Sequence, residues 1–155
     1  MSPVDVRLAA VRVDVERDWE QVVRHGGRAE AADPGAGDAE AALVALSLDH
    51  AYQAFENLLL RVERCLGLPA RSGGTWHRAL LADAARELPD IRPALFPASA
   101  ETDWEQLLGF RHFLRHGYAV DLDAARLRHN VERLTNAISA TAPYVQALLA
   151  ELGPE

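Results

Sequence analysis

The sequence predicts a single all-α domain, a bundle of about five helices, from three observations. Apolar residues recur at three- and four-residue steps over long stretches, as they do along one side of an α-helix. Clusters of Gly, Pro and Asp cut these stretches apart. Runs of alternating β-branched residues and Asn-Gly or Asp-Gly hairpin turns are missing, which leaves no strand signal. The 155 residues suit one helical domain without internal repeats, able to bury about two-thirds of the surface its unfolded chain exposes.

Each element follows from local chemistry. Ser2 and Pro3 suit a helix start, the hydroxyl capping free N–H groups and the Pro tolerated in the first turn. Val4, Leu8, Val11, Val15, Trp19, Val22 and Val23 then form one stripe as far as His25, where Gly26-Gly27 is expected to end the helix. Residues 26–37, with Asp33-Pro34-Gly35, have the composition of a flexible connection. Asp38 is placed to cap a long helix to about Leu66. Its expected core stripe is Leu43, Leu46, Ala51, Ala54, Phe55, Leu58, Leu59, Val62 and Leu66, with His50 on the same side as a hydrogen-bonded core or dimer-contact residue and Cys65 as a small core filler.

A shorter helix is expected over Thr75–Leu88, followed by an extended or 3₁₀ connector set by Pro89, Pro93 and Pro97. Thr102-Asp103-Trp104-Glu105 has the form of a capping box and opens a helix through Leu107, Leu108 and Phe110 toward Leu114, with Gly117 as its stop. Asp121 or Asp123 can cap the last helix, which continues through Leu127, Leu134, Ile138 and Leu149. Pro143 is expected to kink or split it.

Composition narrows the function. At 49% hydrophobic and 25% charged the chain is globular in type rather than disordered. No apolar stretch approaches the roughly 20 residues that cross a bilayer, and charges thread the N-terminal residues, unlike a secretory signal. The single cysteine cannot form an internal disulfide and argues against a Cys-based zinc site. The expected compartment is the cytoplasm. The net charge of −7 argues against a general-purpose nucleic-acid coat, so any role with RNA or DNA rests on a local site. All 16 basic residues are Arg, read either as the side chain whose planar fork suits phosphate or carboxylate or, with abundant Ala, as a reflection of codon usage.

That local site is Phe110-Arg111-His112-Phe113-Leu114-Arg115-His116-Gly117-Tyr118. Two Arg and two His fall within six residues with no carboxylate between them. A helix dipole tolerates positive charge at its C-terminus, but does not by itself account for fixed cations, titratable imidazoles and a tyrosine together. At 100° per residue Arg111 and Arg115 share one side, and His112 and His116 another. Arg111 and His116 diverge by about 140° on an unbroken helix. They converge only where the helix ends near His116, or where a second copy of the chain completes the site. The spacing of His112 and His116 also suits two metal ligands, but no strong third ligand accompanies them; His77 and Glu56 are the nearest candidates. Glu56-Asn57 is read either as a solvated face or as support for Arg111. His129 with Arg126, Arg128 and Arg133 is read either as an extension of the positive surface or as an ordinary exposed face.

The segment from Arg111 to Tyr118 resembles the signature of the HEPN superfamily, and more narrowly the Arg-x4-His-x-Tyr motif of HepT-like ribonuclease toxins. Arg111, His116 and Tyr118 occupy the three positions, and His112 is among the polar residues such proteins place after the Arg. Val120-Asp121-Leu122-Asp123, Trp76-His77-Arg78-Ala79-Leu80-Leu81 and Ala51 to Leu59 are similar to other parts of that family. The resemblance implies a homodimeric, metal-independent endoribonuclease without a cofactor. The 2′-hydroxyl of RNA attacks the adjacent phosphate, Arg111 holding the phosphate oxygens and His116 moving a proton, with His112 and Arg115 supporting the pair or steering RNA. It also implies an antitoxin partner, a nucleotidyltransferase of the MNT type, that blocks the site by AMPylating Tyr118. Two other functions stay open: a noncatalytic interaction or nucleotide-binding module that kept the motif, and the antitoxin of such a pair.

Overall fold

The computed structural model describes residues 2–117 and 121–153. Among these the chain forms five α-helices: α1 (Pro3–Ala31), α2 (Asp38–Cys65), α3 (Trp76–Ala84), α4 (Glu101–His116) and α5 (Ala124–Glu151), with a 3₁₀ turn over Ala98–Ala100. The all-α bundle expected from the sequence is the fold. No helix among the described residues is long and apolar enough to cross a membrane.

The start of α1 is as expected, and stronger. Ser2 Oγ accepts from Asp5 N–H at 3.1 Å while the Asp5 carboxylate accepts from Ser2 N–H at 3.0 Å, a reciprocal capping box. The end is not as expected. The helix runs through Gly26-Gly27 to Ala31, so the connection to α2 is confined to residues 32–37. Gly26 is buried against α5, where an added Cβ would sit 2.6 Å from Ile138 Cδ1. Here the glycine permits close helix packing instead of stopping a helix. Gly27 faces open space and supplies only backbone freedom. Gly27→Ala is therefore expected to stabilise the fold by about 0.5–1 kcal/mol, raising the melting temperature by ~2–4 °C in a thermal circular-dichroism scan.

Contacts fix how the helices run. Asp18 meets Arg61 at 2.5 Å, and His25 lies against His50 with ring centroids 5.1 Å apart, which makes α1 and α2 antiparallel. Arg12 Nε donates to the Leu149 carbonyl at 3.3 Å and Thr135 Oγ1 to Glu30 at 2.7 Å, so α5 returns antiparallel along α1. Phe55 stacks on Trp104 at 3.8 Å, and the Trp104 indole donates to Thr141 Oγ1 at 3.1 Å. With Arg115 on Asp49 and Arg126 over Phe113, these contacts set α4 antiparallel to both α2 and α5, giving an up-and-down four-helix bundle. Phe55 is its centre, with Trp19 and Phe96 edge-on at 6.5 and 5.7 Å.

The short α3 is pinned beside α2 and α4. Its Leu80, Leu81 and Ala84 are buried. Arg71 grips Glu63 through two 2.7 Å bonds and reaches Asp83 at 2.7 Å. Buried Arg92 donates to the carbonyls of Arg86, Pro93 and Asp83 at 2.9–3.0 Å, closing the end of the helix. The connector turns back on itself, with Leu88 N–H on the Arg92 carbonyl at 2.9 Å.

Other expectations are corrected by position. Leu43 and Leu46 are half-exposed, at 46% and 50%, because the buried surface of α2 is turned toward Val44, Ala45, Leu48 and Tyr52. His50 is likewise exposed, and Cys65 stands exposed in the last turn of α2. The capping box at Thr102 does not form: the 3₁₀ turn feeds directly into α4, Ala100 occupies the cap position, and no side chain bonds there. Asp123, not Asp121, caps α5 by accepting from Ala125 N–H at 3.0 Å. Pro143 does not split α5. It lies on the exposed side of the helix, as does Ser139, whose carbonyl loses its partner where water can replace it.

Candidate active site at the end of the fourth helix

The last two turns of α4 carry Arg111, His112, Arg115 and His116, and the helix stays regular to His116 before Gly117 ends it. Gly117 N–H caps the turn on the Phe113 carbonyl at 2.9 Å. Within one chain Arg111 and His116 therefore point about 140° apart. The structure pairs these residues by type: Arg111 with Arg115, and His112 with His116.

The two guanidiniums share one carboxylate. Asp49, only 4% exposed on α2, receives Arg115 Nε at 3.2 Å and Nη2 at 3.0 Å, a forked pair. Arg111 Nε lies 3.1 Å from the same carboxylate, but off the line of a hydrogen bond, and this buried N–H has no hydrogen-bond acceptor among the described residues. Arg111 Nη2 donates to Gln53, which in turn donates to Asn57 at 2.9 Å. Two fixed cations against one anion leave a positive charge uncompensated at the helix end. Neutralisation is thus incomplete, and Arg111 keeps donor capacity.

The imidazoles lie on the other side. His112 and His116 are both exposed, their ring centroids 4.4 Å apart. Glu56 neither touches Arg111 nor forms a solvated face. It is 2% exposed and accepts from Tyr52 Oη at 2.9 Å, with His77 Nδ1 at 2.8 Å. No set of three His, Cys, Asp or Glu among the described residues is arranged to hold a metal ion. Arg128 binds Asp33 at 3.0 Å, Arg133 binds Asn130 at 2.9 Å, and Arg126 covers the Phe113 ring at 4.1 Å. Tyr118 lies outside the described residues.

Asp49 and Gln53 are the members of this site that the motif alone does not reveal. Their signal is faint but present: Asp49 is the sole carboxylate between Glu40 and Glu56, set among apolar residues where an unpaired charge is costly. Such a residue implies a cation brought to it by another helix.

A sequence-family profile described as "HepT-like protein" matches residues 43–152, from α2 to the end of α5. No curated protein and no solved structure matches the chain.

Proposed function

We propose, from the premise that this chain belongs to the HepT-like family, that it is a metal-independent endoribonuclease toxin acting at the end of α4. The observation that carries this reading is the pairing of two exposed imidazoles with two guanidiniums sharing a single buried carboxylate. Arg111, whose charge is only partly answered by the carboxylate it shares with Arg115, is suited to hold the nonbridging phosphate oxygens as charge builds on them. His116 is suited to move a proton, since imidazole changes charge near neutral pH. His112 and Arg115 support the pair and attract the RNA backbone. In the reaction the 2′-oxygen forms a bond to phosphorus, the bond from phosphorus to the 5′-oxygen breaks, and a 2′,3′-cyclic phosphate and a 5′-hydroxyl remain.

The divergence of Arg111 and His116 calls for a second subunit, so that each cleft draws on both chains. Leu43, Leu46, His50, Gln53 and Asn57 follow one another at three- and four-residue steps along α2, beside Asp49. The outer part of that stripe, Leu43 and Leu46, is exposed and apolar, which suits the contact of a homodimer. The partner proposed to restrain the toxin is a nucleotidyltransferase antitoxin of the MNT type. Tyr118, two residues past His116, is the hydroxyl proposed to receive AMP, whose negative charge would repel RNA.

Purified protein prepared without its partner is expected to cleave RNA in the presence of EDTA and to arrest growth when expressed. Fresh protein that binds nucleotides but leaves RNA intact would instead favour the noncatalytic module, and its harmless expression the antitoxin role. Co-expression with the nucleotidyltransferase should add whole AMP units to the intact mass, and Tyr118→Phe should abolish that addition.

A further inference from the structure

Between α3 and α4 lies an open cavity of about 310 Å³, lined by Gly74, Thr75, His77, Arg78, Leu108, Gly109 and His112. Its volume reaches the lower end of small-molecule sites, ~300–1,000 Å³. In a chain of net charge −7, no carboxylate lines it. Two imidazoles and a guanidinium do, the lining suited to a phosphate-bearing ligand. The cavity also adjoins the proposed active site, because His112 lines it while its ring lies 4.4 Å from His116.

His77 is held in one orientation there. Its ring stacks on Trp76, centroids 3.6 Å apart, and its Nδ1 sits 2.8 Å from the buried Glu56 carboxylate. Tyr52 Oη bonds the same carboxylate oxygen at 2.9 Å. Burial first, and the adjacent Glu56 second, push the Tyr52 phenol far above its ordinary range, so Tyr52 keeps its proton and donates it. The Glu56 oxygen then accepts from both neighbours, so in the neutral imidazole the proton sits on Nδ1. In that tautomer Nε2, on the far side of the ring from Glu56, carries the lone pair. A carboxylate that fixes the tautomer of a cavity-lining imidazole is the arrangement of an acid–base group, and it involves no residue of the Arg-x4-His motif.

We propose that His77 is a further catalytic residue, with the α3–α4 cavity seating the RNA nucleotide whose 2′-hydroxyl reacts. This rests on the ribonuclease reading. His77 Nε2 takes the 2′-hydroxyl proton as the 2′-oxygen bonds to phosphorus. His116 delivers a proton to the 5′-oxygen as its bond to phosphorus breaks. One proton is gained and one given, so no further reactant is required. Glu56 and Tyr52 act through His77 as positioning residues.

The test compares wild type, His77→Ala and His77→Asn on a short RNA in EDTA. Asn sets an amide N–H near the position of Nδ1, preserving the bond to Glu56, but has no counterpart of Nε2. Both variants are expected to lose ~10²-fold or more in kcat, His77→Asn with the melting temperature of the wild type. Cleavage by His77→Asn at the wild-type rate overturns the proposal and leaves the ribonuclease reading intact, since His77 would then only support packing. In a second arm, a 2′-O-methyl RNA oligonucleotide, which cannot be cleaved, is titrated while the His77 ring resonances are followed by NMR. They are expected to shift at substoichiometric oligonucleotide. An unmoved His77 signal in bound protein overturns the seating of RNA in the cavity. A wild-type chain that shifts His77 but cleaves nothing sinks the ribonuclease reading, and with it the catalytic role, while keeping the nucleotide site.

Discussion

Replacing His116 with alanine is expected to lower RNA cleavage by ~10²–10⁴-fold, the usual contribution of a positioned acid–base group. The fold should hardly change. His116 is exposed at the last position of α4, and its recorded side-chain contact is the ring of His112. The substitution removes no buried contact, so helicity by circular dichroism should match the wild type. His116→Ala is thus a cleaner probe than Arg111→Ala, which also removes a partner from the buried Asp49. Undiminished cleavage by His116→Ala would show that the imidazole at the end of α4 is not in the reaction. In mixed dimers, an Arg111→Ala chain combined with a His116→Ala chain should recover part of the activity if each cleft draws Arg111 from one subunit and His116 from the other. Absence of recovery would place both groups of a working cleft on the same chain.

The residues that gave away the fold are those whose environment is set locally. Val15, Trp19 and Val22 on α1, and Phe55, Leu58, Leu59 and Val62 on α2, are buried as their spacing predicts. The errors arise where a distant element decides. Gly26 reads as a stop until Ile138 of α5 is seen against it. Thr102 has the sequence of a cap, but the preceding 3₁₀ turn already meets the first N–H groups of α4. A helix packed on two neighbours buries a broad, turned face. For that reason the stripe assigned to α2 placed Leu43, Leu46 and His50 inside, although they stand outside. The site divides in the same way. Arg111, His112, Arg115 and His116 are contiguous on one helix and were legible as a cluster. Their support comes from α2, 58 residues before Arg111 for Gln53 and 66 before Arg115 for Asp49. Spacing along one helix carries no information about such a partner.

Asp49 is where stability and chemistry meet, and its removal should be felt in both. Asp49→Ala leaves the 15%-exposed Arg111 side chain without its counter-ion and opens a small void between α2 and α4. Breaking a fully buried ion pair costs ~3–5 kcal/mol. Because Arg115 is half-exposed, at 51%, and can turn to solvent, about 2–4 kcal/mol is expected here. The melting temperature should fall by ~5–15 °C. Asp49→Asn keeps the volume and one acceptor oxygen and should lose less. Arg115→Ala, an exposed partner, should cost under about 1 kcal/mol. That order in thermal melts, Asp49→Ala below Asp49→Asn below Arg115→Ala, is the signature of a buried carboxylate that answers both guanidiniums and not Arg115 alone. Kinetics separates this from simple destabilisation. Without Asp49 the helix end gains one positive charge, so RNA binding should strengthen and KM should fall. At the same time kcat should fall, because Arg111 is no longer held in place to meet the charge that builds on phosphorus. Equal stability in all three variants, or a variant with raised KM and unchanged kcat, would remove Asp49 from this role.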